Sequence, residues 1–383
     1  MTQFSVVASE MRRFTRDLMA WQKTCDRPMP WKGIKDPYKI WLSEIMLQQT
    51  QVKQGWPYYE KFLKHYPTVF DLANAPEEKV MLDWAGLGYY NRARNLHFTA
   101  KDVSQRLGGK FPEDFDGLVA LKGIGAYTAA AIASFAYNKA HAVVDGNVMR
   151  VLSRVFAIEE PIDTTAGKKT VNALAQKLID RNEPGLYNQA IMDFGATVCT
   201  PQNPKCPTCP MRKHCLAFKQ KRVGEFPVVA KRIALKERHL HYFVVEHNGH
   251  LIMKRRDGND IWKGLYDFPW VETTVTATFS NLLKKKRVRE WIGNQTITKI
   301  KSESSKHNLS HQKLFISFYS LHVSTQAFKK LSKSHQPVPI ASIAELALPK
   351  PIDNYLKKRY IYDQSIPARA AVEPQKQKIK PFR

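Results

Sequence analysis

Two carboxylates lie in sequence contexts that suit acid–base chemistry. Glu44 stands inside the apolar run IWLSEIML, so its side chain faces either a narrow solvated stripe or a cleft. In a cleft, loss of hydration raises the pKa of a carboxyl group and makes it a proton donor near neutral pH. Asp145, in AVVDGNVMRVLSRVF, is either the N-cap of the following helix or an ionised carboxylate at the same cleft. A protonated acid beside an ionised carboxylate is the pair that cleaves glycosidic bonds. The spacing of Glu44 and Asp145 in the sequence does not show whether the two lie close together.

A glycine turn precedes a helical pattern in LKGIGAYTAA, residues 121–130. Gly123 and Gly125 allow a tight turn, and a helix is predicted to begin at about Ala126. The unpaired N–H groups at that helix start form an anion site, to which Lys122 adds a charge. With the preceding FDGLVAL helix, the pattern favours a helix–hairpin–helix that grips DNA phosphates without reading sequence; the alternative is an ordinary turn.

Four of the five cysteines form a C-x6-C-x2-C-x5-C cluster: Cys199, Cys206, Cys209 and Cys215. Four thiols this close together, in a protein expected to be cytosolic, predict a metal site rather than disulfides. Spacing alone leaves zinc and an iron–sulfur cluster both open, because zinc sites usually pair two short turns and this chain has one. The remaining Cys25 is interpreted as an ordinary thiol.

The composition favours a polyanionic partner. The 383-residue chain carries a formal net charge of +26 and has a pI near 9.8, while 43% of its residues are hydrophobic. This surplus indicates nucleic acid ahead of an anionic membrane surface, because no basic amphipathic anchor is evident. The N-terminal segment has scattered charges, and the longest apolar run, Ala129 to Tyr137, is too short to span a bilayer. We therefore expect a cytoplasmic protein of two domains.

The hydrophobic pattern changes after the cysteines. Residues 1–218 have apolar positions at helical spacing, which predicts an all-α domain, and the basic residues 219–238 are interpreted as a linker. Residues 239–360 are predicted to form an α+β domain. Its signals are a hairpin in HYFVVEHNGHLIMKRR that turns at Asn248-Gly249, a strand in QKLFISFYSLHV and one basic helix in SNLLKKKRVREWIG. Residues 361–383 are predicted to be a disordered basic tail.

Several motifs, in order along the chain, resemble one family of repair enzymes. WLSEIMLQQTQV, GLGYYNRARNL, LKGIGAYTAA, VVDGNVMRVLSR and the cysteine cluster are similar to motifs of adenine DNA glycosylases of the MutY type, which belong to the helix–hairpin–helix glycosylase superfamily. The resemblance runs from about residue 20 to residue 216. IWKGLYDFPWVE resembles the start of the family's Nudix-like C-terminal domain. The resemblance implies a [4Fe-4S] cluster on the four cysteines and a second domain that binds DNA. That domain is expected to hydrolyse nothing, since the glutamate-rich box of active Nudix hydrolases is missing.

The resemblance also implies roles for single residues. Glu44 matches the general acid that protonates adenine at N7, Asp145 the carboxylate that stabilises the sugar cation, and Asn147 an asparagine beside them. Tyr127 stands where related lyases carry a nucleophilic lysine, and a phenol forms no Schiff base, which implies a monofunctional enzyme. Tyr89 matches the side chain that wedges into the duplex. With the turn residues, the implied contacts to DNA or adenine are Arg27, Trp31, Gln49, Tyr89, Lys122, Gly123, Gly125, Ser310 and His311.

The implied substrate is adenine mispaired with 8-oxoguanine or guanine in duplex DNA, flipped out of the stack and bound by a monomer. Leu309-Ser310-His311 resembles the loop that reads the lesion, whose first residue is commonly aromatic, so Leu309 departs from the pattern. Two alternatives stand beside this hypothesis. One is an endonuclease III-like lyase acting on damaged pyrimidines, against which Tyr127 and the long second domain argue. The other is a non-catalytic, metal-stapled DNA-binding module.

Overall fold

The computed structural model describes residues 8–25, 27–230, 235–258, 260–292, 298–309 and 311–360. They form two compact units that divide after residue 234. The predicted basic tail, 361–383, lies outside the described residues. Within the described part of the chain, no helix is long and apolar enough to cross a membrane.

The first unit is helical, as the sequence predicts. Apolar faces of its first, ninth, tenth and eleventh helices meet in one core. The helices are α1 (Ala8–Gln22), α2 (Pro37–Leu47), α3 (Val52–His65), α4 (Val69–Asn74), α5 (Glu77–Trp84), α6 (Asn91–Arg106), α7 (Phe115–Val119), α8 (Ala126–Tyr137), α9 (Gly146–Phe156), α10 (Thr165–Leu178), α11 (Pro184–Thr197) and α12 (Leu216–Lys219), with a 3-10 turn at Cys206–Thr208.

Helix α2 begins at a well-defined cap. The Asp36 carboxylate accepts hydrogen bonds from the backbone N–H groups of Tyr38 (2.9 Å) and Lys39 (3.4 Å). Pro37 occupies the first turn, where its missing N–H leaves no bond unmade. Tyr38 and every residue from Ile40 to Met46 are buried. Because α2 has no solvated stripe over these residues, Glu44 lies inside the unit.

Helices α7 and α8 form the predicted helix–hairpin–helix, and α8 begins at Ala126 as expected. Gly123, in the turn, has a φ of +80°, and a Cβ at this position would lie 2.7 Å from the Cβ of Asn95. Gly125 is the N-cap of α8, with a φ of −86° and open space around its Cα. The prediction that both glycines are needed for the turn therefore holds for Gly123 only.

The second unit is built around a mixed sheet. Its strands are β1 (Lys236–His247), β2 (His250–Arg255), β3 (Tyr266–Asp267), β4 (Trp270–Thr273), β5 (Thr298–Asn308), β6 (Gln312–His322) and β7 (Gln336–Pro339). The order is β3-β2-β1-β6-β5, with β4 also paired to β1 and β7 to β2. β1 and β6 run parallel, and the other pairs are antiparallel. The predicted hairpin is confirmed, since Asn248 and Gly249 both have positive φ between β1 and β2.

Helices cover both faces of this sheet. They are α13 (Phe279–Leu283), α14 (Lys286–Ile292), α15 (Thr325–Leu331) and α16 (Lys350–Arg359), with a 3-10 helix at Ile340–Glu345. Buried residues of α13, α14 and α15 share one core with alternate side chains of β1 and β6. Residues of α16 share the core on the opposite face with the remaining alternate side chains of β1 and β6. The α+β prediction is confirmed, as a two-faced sheet.

The prediction of one basic helix over SNLLKKKRVREWIG is wrong, because the chain forms two short helices there, α13 and α14. Leu282 and Val288 are both fully buried in the same core. Six residues apart in one continuous helix, they would point to different sides. The interruption after Leu283 allows both side chains to reach the core.

The predicted linker, 219–238, is largely structured. Lys219 ends α12, and Lys236 begins β1. Between them Phe226 is buried, and the carbonyl of Val228 accepts a hydrogen bond from the N–H of Ile162 at 3.0 Å. Basic composition suggested solvation, but these apolar and backbone contacts hold the segment up to residue 230 against the helical unit.

Candidate active site

Glu44, Tyr127 and Asp145 meet at one place in the helical unit. They come from α2, the first turn of α8 and the N-cap of α9. Glu44 is 6% exposed, and burial raises its pKa to about 7; the hydrogen bond from Tyr127 opposes the rise, and the negative charge of Asp145 adds to it. Burial and the same two carboxylates raise the pKa of the Tyr127 phenol well above its usual value. Two carboxylates 101 positions apart in the numbering thus act on each other electrostatically.

Asp145 is both an N-cap and a member of this site, so the two interpretations of its position are compatible. Its Oδ1 accepts a hydrogen bond from the backbone N–H of Val148 at 2.7 Å. Its Oδ2 accepts one from the Asn147 side-chain amide, also at 2.7 Å. The cap fixes the backbone and the amide fixes the rotamer, so the carboxylate has one defined orientation beside Glu44.

Arg150, which the sequence analysis did not single out, holds Asn147 in turn. Its Nη2 donates to Asn147 Oδ1 at 2.8 Å and to the carbonyl of Gly195 at 2.7 Å, and its Nε donates to the carbonyl of Cys199 at 2.7 Å. One turn on, Arg154 donates to the carbonyls of Thr200 and Phe226. The spacing of Asn147, Arg150 and Arg154 places them on one face of α9, a signal available in the sequence.

Arg92 contacts the two loops that carry Gln49 and Tyr89, which are predicted to contact DNA. Its Nη1 donates to the carbonyls of Ile45 and Gln48, both at 2.7 Å, at the end of α2. The same guanidinium lies 5.2 Å from the ring centroid of Tyr89. Gln49 and Tyr89 have positive φ values of 55° and 49°, and Tyr89 is 45% exposed. Strained backbone at two non-glycine residues, held by one half-buried arginine, is typical of functional loops.

Lys122 lies at the exposed turn of the helix–hairpin–helix. Its carbonyl accepts a hydrogen bond from Thr99 Oγ1 at 2.6 Å, and its ammonium lies 4.1 Å from the ring centroid of Phe98. These contacts leave the ammonium group at the surface beside Gly123. The turn therefore presents a cation and the free N–H groups of α8 together, as an anion site requires.

Arg27 and Trp31 lie near the start of the chain and contact different partners. Arg27 Nη1 donates to Asp193 Oδ1 at 2.6 Å, and Gln189 Nε2 donates to the same oxygen at 3.0 Å. Trp31 is buried edge-on against Tyr59, with centroids 5.3 Å apart. Asp193 is fully buried and was not predicted, although it stands in an apolar run, AIMDFG, as Glu44 does. The sulfur of Met192, which precedes Asp193 in sequence, lies 3.7 Å from the Tyr127 hydroxyl oxygen, which places α11 at the site.

The four clustered cysteines line one small cavity together with Val155, Phe194 and Met211. Burial raises the pKa of Cys206 and Cys215, and raises that of Cys209 to about 12, so these thiols need a cation to become thiolates. In the described part of the chain, no three His, Cys, Asp or Glu side chains converge closely enough to hold a single metal ion. Four thiols around one cavity suit a larger group with four thiolate ligands.

Comparisons with known proteins follow the same division of the chain. Residues 42–181 match the HhH-GPD superfamily of base excision DNA repair proteins, and residues 241–358 match the NUDIX domain. The adenine DNA glycosylase of Buchnera aphidicola subsp. Schizaphis graminum is 32% identical over 348 residues, which cover 90% of this chain and 98% of that protein. The chain belongs to the adenine DNA glycosylase family. It is therefore a DNA glycosylase of base excision repair that acts on adenine.

A mammalian relative and two solved structures of other glycosylases are also similar to this glycosylase. The adenine DNA glycosylase of Mus musculus is 33% identical, and the match covers 83% of this chain and 72% of the mouse protein. Among solved structures, a thermostable thymine-DNA glycosylase is 29% identical with a TM-score of 0.51, over 55% of this chain and 98% of that one. Endonuclease III from a non-covalent DNA complex, 22% identical with a TM-score of 0.50 over 56% of this chain and 98% of that one, shares the fold of the helical unit.

The second unit of the glycosylase carries the predicted lesion-reading loop at the tip between β5 and β6. The backbone N–H of Leu309 donates to the carbonyl of Gln312 at 2.8 Å, and His311 is exposed. Ser310 lies outside the described residues. Below the tip, Arg238 of β1 donates to Gln312 Oε1 at 3.3 Å and pairs with Asp260 and Glu272 at 2.8 and 2.7 Å. Leu309 packs against the core on the α16 side of the sheet, so it has an internal role here.

Proposed function

We propose that the enzyme is a monofunctional glycosylase that hydrolyses the N-glycosidic bond of adenine mispaired with 8-oxoguanine or guanine in duplex DNA. The observation that carries this proposal is the buried Glu44 carboxyl group, whose pKa of about 7 keeps a large fraction protonated at neutral pH, beside the carboxylate of Asp145. An acid whose proton is available near neutral pH, next to a negative charge, suits departure of a base from an oxocarbenium-like sugar.

The two carboxyl groups have separate tasks in this mechanism. Glu44 donates its proton to N7 of the flipped adenine, which makes the base a neutral leaving group. Asp145, oriented by Val148 N–H and the Asn147 amide, faces the positive charge that develops on the sugar. Asn147 and Arg150 act as positioning residues, because they fix the Asp145 carboxylate and do not themselves carry a proton.

Tyr127 supports base excision without strand cleavage. A lyase needs an amine that attacks the sugar to form a Schiff base, and the group at this place is a phenol. Its raised pKa keeps it neutral, so it is a hydrogen-bond donor to Glu44 and a poor nucleophile. Lys122 lies across the glycine turn, with its ammonium over the Phe98 ring, and is a poor substitute.

The four-cysteine cavity is proposed to hold a [4Fe-4S] cluster on Cys199, Cys206, Cys209 and Cys215. When bound, the cluster supplies the positive charge that buried thiolates require and ties the loop 199–215 together. The carbonyl of Cys199 bonds to Arg150 and its Sγ lies 3.5 Å from Arg154 Nη1, so the ordered loop supports α9 from behind the active site.

The second unit is proposed to read the base opposite the adenine through the tip that contains Leu309 and His311. An aliphatic Leu309 that packs inward offers less stacking surface to a base than an aromatic side chain. We therefore assign direct contact with the lesion to the exposed His311 and its neighbour Ser310. The domains of this proposal are 1–218 for excision and 239–360 for lesion reading.

The test uses a duplex with one adenine opposite 8-oxoguanine, labelled on the adenine strand and analysed on a gel with and without hot alkali. The expected result is cleavage after alkali only, with none by a Glu44→Gln variant that still binds the duplex. Cleavage without alkali overturns the monofunctional assignment and favours a lyase. An intact strand under both conditions overturns the adenine–8-oxoguanine assignment, and binding without turnover then favours the DNA-binding module.

A further inference from the structure

One face of the second unit is strongly basic. Helices α13, α14 and α15 and the turns after them carry eight Lys or Arg residues and one acidic residue, Glu290. We define the α13–α15 basic face by six exposed cations: Lys285, Lys286, Arg289, Lys329, Lys330 and Lys333. The segment of α13 and α14 corresponds to the stretch in which active Nudix hydrolases carry a glutamate-rich box, and here that segment is rich in lysine and arginine.

The fold gathers these cations on one side of the sheet. Leu282 of α13, Val288 of α14 and Leu331 of α15 are buried in one core, which turns the charged sides of all three helices outward together. Helix α16 packs into the other core and occupies the opposite side of the sheet. The basic face is therefore one surface, and α16 provides a second charged surface of the same unit for comparison.

The lysines of the two surfaces differ in their partners. On α16, Lys350 and Lys357 pair with Asp353 at 3.6 and 2.8 Å, and Lys358 pairs with Glu303 at 2.9 Å. None of the α13–α15 basic-face cations has an ion-pair partner among the described residues. Unpaired like charges repel one another, so the fold tolerates an electrostatic cost at this face that it avoids at α16.

Two buried histidines, His241 and His335, lie beside these helices and carry no charge at neutral pH. Burial lowers the pKa of His335 to about 4, with Lys254 and Arg287 adding to the shift, and burial with His239 and Lys285 lowers the pKa of His241 to about 4. Both imidazoles are therefore neutral at physiological pH, and they do not add to the charge of the face. The cations of this face have no ion-pair partners among the described residues, and the histidines beneath them are uncharged. The face therefore attracts an external anion.

We propose that the α13–α15 basic face binds the phosphate backbone of duplex DNA, as a contact additional to the helix–hairpin–helix turn and to the lesion-reading tip. Lysine ammonium groups on short exposed helices are point charges that suit phosphates and read no sequence. An anionic membrane is the weaker match, because the exposed large apolar residues of the described second unit are only Leu235 and Val275, and Trp291 is buried.

The test compares two full-length variants that each lose three positive charges. Lys286→Gln/Arg289→Gln/Lys330→Gln alters the basic face, and Lys350→Gln/Lys357→Gln/Lys358→Gln alters α16. Binding to an undamaged duplex is measured by fluorescence anisotropy over a range of salt concentrations. For the basic-face variant we expect the slope of log K against log salt to fall by about 2 to 3, since each lost phosphate contact removes about 0.9. For the α16 variant we expect a slope equal to that of the unmodified enzyme.

Equal slopes for both variants and the unmodified enzyme overturn the proposal, as do equal losses from both surfaces. Thermal unfolding verifies that both variants are folded. We expect both to be folded, because glutamine has a helix propensity close to that of lysine and arginine and the changed positions are exposed. Because undamaged DNA is not cleaved, the result does not depend on the proposed excision reaction. If the unmodified enzyme fails to excise adenine while the slope still falls in the basic-face variant, the result counts against the proposed function alone.

Discussion

Glu44 owes its character as an acid to the helix that carries it. Tyr38 and all residues from Ile40 to Met46 are buried, so no part of this stretch of α2 offers the carboxyl group water. The sequence shows a glutamate in an apolar run and, taken alone, favours a solvated stripe over a cleft, because α2 shows no periodicity that separates its faces. What settles the position is packing on every side of the helix, including against α8 and α3, which local sequence does not encode.

The Tyr127→Phe change tests the assignment of Glu44 at the level of one hydrogen bond. The Tyr127 hydroxyl lowers the pKa of Glu44 against the larger effect of burial, so its removal raises that pKa further. If protonated Glu44 is the acid, excision falls as the pH rises through this pKa, about 7 in the unmodified enzyme. We expect the alkaline limb of single-turnover excision to move up by about one pH unit in the variant.

A Met192→Leu variant is the matched control for this change. It removes the sulfur that lies 3.7 Å from the Tyr127 hydroxyl oxygen but leaves the hydrogen bond to Glu44. Its alkaline limb is expected to stay in place. A downward shift in Tyr127→Phe, or equal shifts in both variants, would show that another group controls the pH dependence.

At the scale of elements, the two glycines of the turn differ in whether their backbone conformation and surroundings require glycine. Gly123→Ala forces a side chain into left-handed backbone at a φ of +80° and against Asn95, so we expect a loss of about 2 kcal/mol of stability and weaker binding to undamaged duplex. Gly125→Ala has a φ of −86° and free space, so its cost as an N-cap change stays below about 1 kcal/mol. Denaturant unfolding and duplex binding measure both effects, and equal losses would contradict a special role for Gly123.

The sequence predicts elements best where their hydrophobic pattern is local. The start of α8 and the hairpin at Asn248-Gly249 depend on turn residues that are visible in the sequence, and both are confirmed. Strand β5 is missing from the sequence prediction because TKIKSESSKHN is polar. A strand at the exposed edge of a sheet does not need apolar side chains, so it leaves no hydrophobic pattern in the sequence. The division of α13 from α14 depends on a shared core that only the folded sheet provides.

The candidate site shows the same limit. Residues with unusual chemistry for their surroundings, Glu44 and Asp145, are visible in the sequence, and resemblance supplies their roles. Their supports are harder to find: the spacing of Arg150 from Asn147 is visible, but the groups that hold Arg150 and Arg92 are backbone carbonyls far away in the chain, which any residue offers. Carbonyl partners leave no mark on composition or spacing.

Across the whole molecule, the cysteine loop has a mechanical consequence for the segment that leads to the second unit. Arg154 donates to Thr200 and Phe226 carbonyls, so the loop and the segment 222–230 share one anchor. We expect Cys206→Ser to loosen both and to speed tryptic cleavage at Lys219, Lys221 and Arg222 several-fold, as followed by limited proteolysis and mass spectrometry. Cys25→Ser, outside the loop, is the control and should be cleaved at the unmodified rate. Unchanged cleavage in Cys206→Ser would show that the segment is held independently of the loop.

The parallel pairing of β1 with β6 has a consequence for synthesis of the chain. Glu237 pairs with Lys313, 76 residues later, while β2 and β4, which are made soon after β1, cover only parts of it. A ribosome that has made β1 to β4 therefore exposes a long, apolar, half-paired strand until β6 emerges. All residues of the helical unit have been synthesised by then. A nonsense mutation between residues 273 and 312 should thus yield a folded excision unit joined to an incompletely paired strand that is prone to aggregate. We expect such truncations to be more harmful than stop codons placed before β1.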